Sequence, residues 1–296
     1  MKKIFCAFLA AAFAVALLSF TLRGLTSDVD SLRSRLDESE REVERLRGEN
    51  AYRIETRVAR TDFDDLRSRL DTRDVRALYR DVLAPSVQVS AKSGVGGGTL
   101  LYSRPGHSYV ISAYHVVQKT DSPPEVRLYD EKGELVDEVE ADLVAKDEGK
   151  DLALLKLRTE RVYGTVARLA SRASLRAVRV FTPLYAIGCP LGHDPLPTLG
   201  EVAALHKEVA GESFWMMTAP TIFGNSGGGV FHRETRELIG VSVMICTYDG
   251  AVSTPVPHLG ILVSLEAVYD WLDSMRYRFL YDPSASVEPP GPAGDR

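Results

Sequence analysis

The chain has 296 residues, with 36 lysines and arginines against 41 aspartates and glutamates and a formal net charge of −5. That length allows one or two domains with a sizeable core, and the balanced charge offers no basic face for nucleic acid. Three cysteines, one inside the N-terminal apolar run, do not make a disulfide framework. Cys189 and Cys246 are expected as buried small side chains, paired only if the fold brings them together.

In chain order, Met1-Lys2-Lys3 precedes an apolar run from Ile4 to Leu22 that Arg23 closes. About nineteen residues come close to the roughly twenty a bilayer requires, so residues 1–23 are expected to be a signal anchor, with a cleaved signal peptide ending near Ala14-Val15-Ala16 as the alternative. The two lysines favour a cytoplasmic N-terminus and export of the rest. Residues 24–60 read as a stalk. Val29, Leu32, Leu36, Ser39, Val43, Leu46 and Asn50 alternate at intervals of three and four, the seam of a coiled coil that would also oligomerise the chain. A helical linker over 61–84 carries Phe63, Leu66, Leu70, Val75, Leu78 and Val82 at helical spacing and must end before Pro85.

From 86 to about 263 the pattern predicts short strands in two groups of six. Val87–Ala91, Thr99–Tyr102, Tyr109–Ser112, Glu125–Tyr129, Val136–Val144 and Leu152–Leu157 form the first. Arg179–Ala186, Glu201–Leu205, Phe214–Thr218, Gly228–Phe231, Leu238–Val243 and Gly260–Val263 form the second. With turn residues between them, these suggest a mainly β fold of two six-stranded antiparallel barrels over residues 85–281. A helix is expected from Leu265 to Phe279, burying Val268, Trp271, Leu272 and Met275. The Pro-, Ala- and Gly-rich stretch 282–296 is expected to be a disordered tail.

The chemistry centres on Phe223-Gly224-Asn225-Ser226-Gly227-Gly228-Gly229. Glycines beside a serine let the backbone turn so that the N–H groups of Gly224 and Ser226 point to one spot next to the hydroxyl, which is an oxyanion hole. A serine nucleophile also needs a histidine base and a carboxylate to orient it. His115 follows the apolar run Tyr109-Val110-Ile111-Ser112-Ala113-Tyr114, and Asp151 opens the alternating Leu152-Ala153-Leu154-Leu155-Lys156-Leu157. His115 and Asp151 in the first half and Ser226 in the second would meet in the cleft between the barrels. Asp147 is the rival carboxylate and reads as a solvated turn residue. His193, His206, His232 and His258 show no metal-ligand spacing, so neither metal nor cofactor is expected.

These stretches resemble a trypsin-like serine endopeptidase of the HtrA/DegP type without its PDZ domain. Gly94-Val95-Gly96-Gly97-Gly98-Thr99-Leu100 resembles the glycine-rich first hairpin of that family, and Ser112 to Val117 its histidine box. Asp147 with Asp151 to Lys156 resembles its aspartate box. Ala186 to Gly192 with Gly200-Glu201-Val202 resembles the opening of its second barrel, and Gly224 to Gly228 its serine box. Cys189 stands where asparagine is common, and Gly229 where proline or alanine is usual. The resemblance implies a chymotrypsin-like barrel pair and peptide-bond hydrolysis by His115, Asp151 and Ser226. It further implies polypeptide substrates and a primary pocket lined by Pro220, Thr221, Ile222, Phe223, Val241, Ser242 and Val243. With no acidic residue there, small or medium apolar side chains fit better than lysine or arginine. Protein quality control or regulated proteolysis outside the cytoplasm is the expected role, and a membrane-anchored protease-like binding or stress-sensing module that does not cleave is the alternative.

Overall fold

The computed structural model describes residues 75–285, apart from 93, 119–121 and 250–252, together with Glu38, Ser39, Arg41 and Arg45, which are helical and exposed. The apolar run at 4–22, most of the heptad stretch and the first part of the 61–84 linker lie outside the described residues. Among those described, no helix is long and apolar enough to cross a membrane. The chain divides into units 1–60 and 61–296, and the second contains every element named below.

Helix α1 (Val75–Leu78) continues as one π-helical turn, Tyr79–Leu83, and stops where proline requires it. The Ala84 N–H closes onto the Tyr79 carbonyl at 2.7 Å, and Ser86 Oγ donates to the Val82 carbonyl. Six strands follow: β1 (Ser86–Ala91), β2 (Gly94–Arg104), β3 (His107–Ala113), β4 (Glu125–Tyr129), β5 (Leu135–Asp147) and β6 (Leu152–Leu157), with the single-turn helix α2 (Tyr114–Val117) after β3. Their antiparallel ladders close in the order β1-β2-β3-β6-β5-β4. After helix α3 (Arg172–Ala177), the strands β7 (Pro183–Gly188), β8 (Leu196–Val209), β9 (Glu212–Met217), β10 (Gly229–His232), β11 (Leu238–Asp249) and β12 (Ser253–Ser264) close as β10-β11-β12-β9-β8-β7. Helix α4 (Leu265–Ser274) ends the regular structure.

The barrel interiors follow from alternation. On β5 only Ala141 and Ala145 are buried among acidic and basic neighbours, whereas β6 buries everything but Lys156. Tyr109, Ile111, Leu152 and Leu154 of the first barrel and Phe214, Phe231, Leu184 and Leu262 of the second are fully buried.

Several expectations shift, among them the bounds of β7, β8, β11 and β12. Strand β2 begins at Gly94, not Thr99, because its glycines pair with β1 from Ala91↔Gly94 to Ser86↔Thr99. Glycine is poor in strands, but here the second barrel comes too close for a side chain: a Cβ on Gly97 would lie 2.9 Å from Gly228 Cα. Helix α4 ends at Ser274, not Phe279. Arg276 takes a left-handed φ of 65°, and the Tyr277 N–H returns to the Leu272 carbonyl at 2.8 Å, a Schellman stop built without glycine. Met275 is therefore among the exposed apolar residues, while Tyr277 and Phe279 are buried with Tyr102 and Tyr109 of the first barrel. The start of the expected tail is ordered: the Ala285 N–H bonds the Asp282 carbonyl, and Ala285 packs on the core. Cys189 is buried and Cys246 half-buried, both as free thiols.

Candidate active site

Strand β3 runs extended through Ala113, and the single turn of α2 then sets His115 at its end. The Tyr114 N–H donates to the Asp151 carbonyl at 3.0 Å and the His115 N–H to Asp151 Oδ1 at 2.8 Å. His115 Nδ1 lies 2.5 Å from Asp151 Oδ2, with the two side chains 43% and 17% exposed. The carboxylate thus grips the histidine by both ring and backbone, a contact that fixes the ring's orientation and leaves Nε2 for another partner. Asp151 sits at φ 56°, a left-handed conformation that a non-glycine residue keeps only when its surroundings demand it. Asp147 faces elsewhere: its Oδ1 accepts the Lys150 N–H at 2.9 Å.

Ser226 lies on the loop between β9 and β10, and that loop is held by the backbone of both barrels. The Gly97 N–H donates to the Ser226 carbonyl at 2.8 Å and the Gly227 N–H to the Ser242 carbonyl at 2.7 Å. The Cys189 N–H donates to the Gly224 carbonyl at 3.0 Å and the Leu191 N–H to the Phe223 carbonyl at 2.9 Å. Gly224 takes φ +98°, and a Cβ there would collide with the Cys189 carbonyl. With the loop's carbonyls engaged in this way, the Gly224 and Ser226 N–H groups find no acceptor among the described residues. Two unengaged backbone donors beside a serine hydroxyl are what an oxyanion hole would require. Ser226 Oγ lies 3.5 Å from the Val243 carbonyl, and no hydrogen bond joins it to His115 among the described residues.

Residues 96–241 match the trypsin-like peptidase domain family. A probable periplasmic serine endoprotease, DegP-like, of Hahella chejuensis is 32% identical over 167 residues, which are 54% of this chain and 33% of that protein. The serine protease Do-like HtrA of Bacillus subtilis is 30% identical over 168 residues, 53% of this chain and 35% of that protein. Among solved structures, the HtrA-type protease AlgW with tripeptide superposes with a TM-score of 0.55 at 22% identity, over 68% of this chain and 62% of that one, a likeness of fold. Residues 96–241 thus match a trypsin-like peptidase domain, and the chain is similar to serine proteases of the HtrA type. It spans about a third of the length of the relatives it matches.

Around the serine loop the expected pocket residues part company. Thr221 is buried, its Oγ1 bonded to the Ala219 carbonyl and its N–H to the Pro257 carbonyl at 2.6 Å. Pro220 and Ile222 are half-buried beside it, whereas Phe223 is 62% exposed at the loop's edge. Val241, Ser242 and Val243 are buried on β11. Strand β10 pairs with β11 as far as Val241, the Gly227–Gly228 turn still holds Ser242, and Val243 falls in a bulge between Ser242↔Leu262 and Met244↔Ile261, beyond which β11 pairs with β12.

Several supporting residues escaped sequence reasoning. Gly260 faces Thr221, since a Cβ there would lie 2.7 Å from Thr221 Oγ1, and a glycine inside a strand is the one signal that could have shown it. Gln88 Nε2 donates to the carbonyls of Gly192 and His193, both at 3.0 Å, and Tyr129 OH donates to Asp194 at 2.7 Å. These first-barrel side chains hold the 189–194 segment that braces Gly224. Burial of Cys189 pushes its thiol pKa up, so it serves there as a small neutral side chain.

Proposed function

We propose that the chain hydrolyses peptide bonds of polypeptide substrates through Ser226, His115 and Asp151. The observation that carries this reading is the doubly bonded His115–Asp151 pair together with a serine turn that has two unengaged N–H groups and packs against Ala113, two residues before His115. In the reaction, Ser226 Oγ attacks the carbonyl carbon while His115 Nε2 takes its proton and then returns it to the leaving amine. Asp151 keeps the proton-bearing Nδ1 in place and stabilises the charged ring, and the Gly224 and Ser226 N–H groups receive the oxyanion. A water repeats the sequence on the acyl-enzyme. An extended substrate would lie along the open edge of β11 from Val243, its backbone pairing as an added strand. Thr221 and Gly260 would floor a shallow primary pocket suited to small apolar side chains.

Export belongs to the same reading. It is supported by the lysine-led apolar run at 1–23 and by the periplasmic designation of the Hahella relative. Anchoring through that run, a stalk and oligomeriser at 24–60, a linker at 61–84 and a role in quality control complete the proposal. A second reading, a protease-like module that does not cleave, is favoured by one observation: Ser226 Oγ turns toward the Val243 carbonyl rather than His115. Hydrolysis requires that hydroxyl to rotate, as apo sites commonly do on binding substrate. Incubation of the full chain with unfolded casein separates the two. Fragments that appear with wild type and vanish with Ser226→Ala support hydrolysis; intact casein in both supports the binding module.

A further inference from the structure

The turn that carries Asp151 is held from both barrels. Within the first, the Asp147 carboxylate accepts the Lys150 N–H at 2.9 Å and stands 3.5 Å from Lys150 Nζ. From the second, Glu212 Oε2 lies 2.9 Å from the same Nζ. Glu212 opens β9 just after the hairpin tip, where Ala210 and Gly211 take left-handed φ values of 52° and 86°, and it pairs with Val209 at the end of β8. Gly149 lies against this carboxylate, since a Cβ there would sit 3.3 Å from Glu212 Oε1. The Lys150 and Glu212 side chains are 26% and 35% exposed, and the Glu212 hydrogen bond raises the Lys150 pKa, so the lysine stays charged at neutral pH.

Asp151 follows Lys150 directly, and its left-handed backbone must be held by its neighbours. We propose that the Lys150–Glu212 pair is a cross-barrel bolt that positions Asp151 and, through it, the His115 ring. The second barrel then supplies both the nucleophile and a restraint on the carboxylate that orients the base. This rests on the triad reading above. Half-exposed ion pairs add little to stability, but a small displacement of a catalytic group can lower rate strongly, so the pair acts on turnover and not on folding.

The test measures kcat and KM for fluorescein-labelled casein, with thermal unfolding in parallel, on the full chain. Lys150→Met and Glu212→Gln should each lower kcat three- to tenfold, with KM within about twofold and Tm within about 2 °C of wild type. The double variant should be no worse than the lower single, because either change already opens the bolt, and Lys150→Arg should keep at least half of wild-type kcat. Singles within twofold of wild type, losses that multiply in the double variant, or a Lys150→Arg as impaired as Lys150→Met would overturn the bolt. Asp151→Asn is the control for the underlying reading. Turnover retained in that variant removes the triad itself, whereas an inactive Asp151→Asn beside unaffected Lys150 and Glu212 variants removes the bolt alone.

Discussion

Two carboxylates four positions apart perform different work because the backbone between them turns through a left-handed residue. Asp147 caps its own turn by accepting the Lys150 N–H, and Asp151, at φ 56°, is swung toward His115. An asparagine at 147 keeps an acceptor oxygen for that N–H, so Asp147→Asn should leave turnover near wild type. An asparagine at 151 offers an N–H where the ring needs an acceptor and imposes the wrong tautomer; Asp151→Asn should lower kcat by about 10⁴-fold. Casein hydrolysis rates of the two variants check this, and the reverse pattern would reassign the carboxylate. That the carboxylate reaching His115 is that of Asp151 was legible, because Asp151 directly precedes the strand Leu152 to Leu157. The residues that brace the serine turn were not, because Gln88 and Tyr129 meet the 189–194 segment across separations of 104, 105 and 65 positions, which local pattern does not reveal.

Among the elements, strands marked by apolar content were readable, whether buried almost throughout, as in Leu152 to Leu157, or alternating, as in Glu138 to Asp142. Strand β2 was readable only in part, since the glycines that start it are selected by contact with the other barrel and not by strand propensity. A methyl group at Gly97 would press on Gly228 beside the serine turn. Gly97→Ala should therefore cost about 1–3 kcal/mol and slow acylation of Ser226, whereas Gly164→Ala, where a Cβ meets open space, should change neither. Urea denaturation midpoints of the two variants give the comparison; equal midpoints would mean that the interface yields to the extra methyl. The end of α4 was misplaced for a related reason. Its left-handed stop falls on Arg276, where sequence offers no glycine to announce it.

For the whole molecule, the buried Asp81 ties three separate regions together. Its carboxylate lies 2.7 Å from Arg80 beside it, 2.9 Å from Arg236 in the β10–β11 turn and 3.8 Å from Arg168 in the connection between the barrels. Burial opposes its ionisation, but the hydrogen bonds from Arg80 and Arg236 prevail and hold the carboxyl below the usual carboxylate range. A depressed native pKa means that the unfolded chain takes up this proton first as pH falls. The stabilisation is thus complete above about pH 4 and is lost as pH drops through the native value. Asp81→Ala should lower stability by about 2 kcal/mol at pH 7, and the difference from wild type should shrink below pH 4. Thermal unfolding against pH tests this, and a difference that persists undiminished at pH 3 would contradict it.

The account as a whole stands on an activated Ser226. Its most direct test is to react the full chain with a fluorophosphonate probe and map the modified residue by mass spectrometry, beside Ser226→Ala and His115→Ala. The account predicts one adduct, on Ser226, that is absent from the Ser226→Ala variant and nearly absent from His115→Ala. An adduct on another residue, or equal labelling without His115, would contradict it.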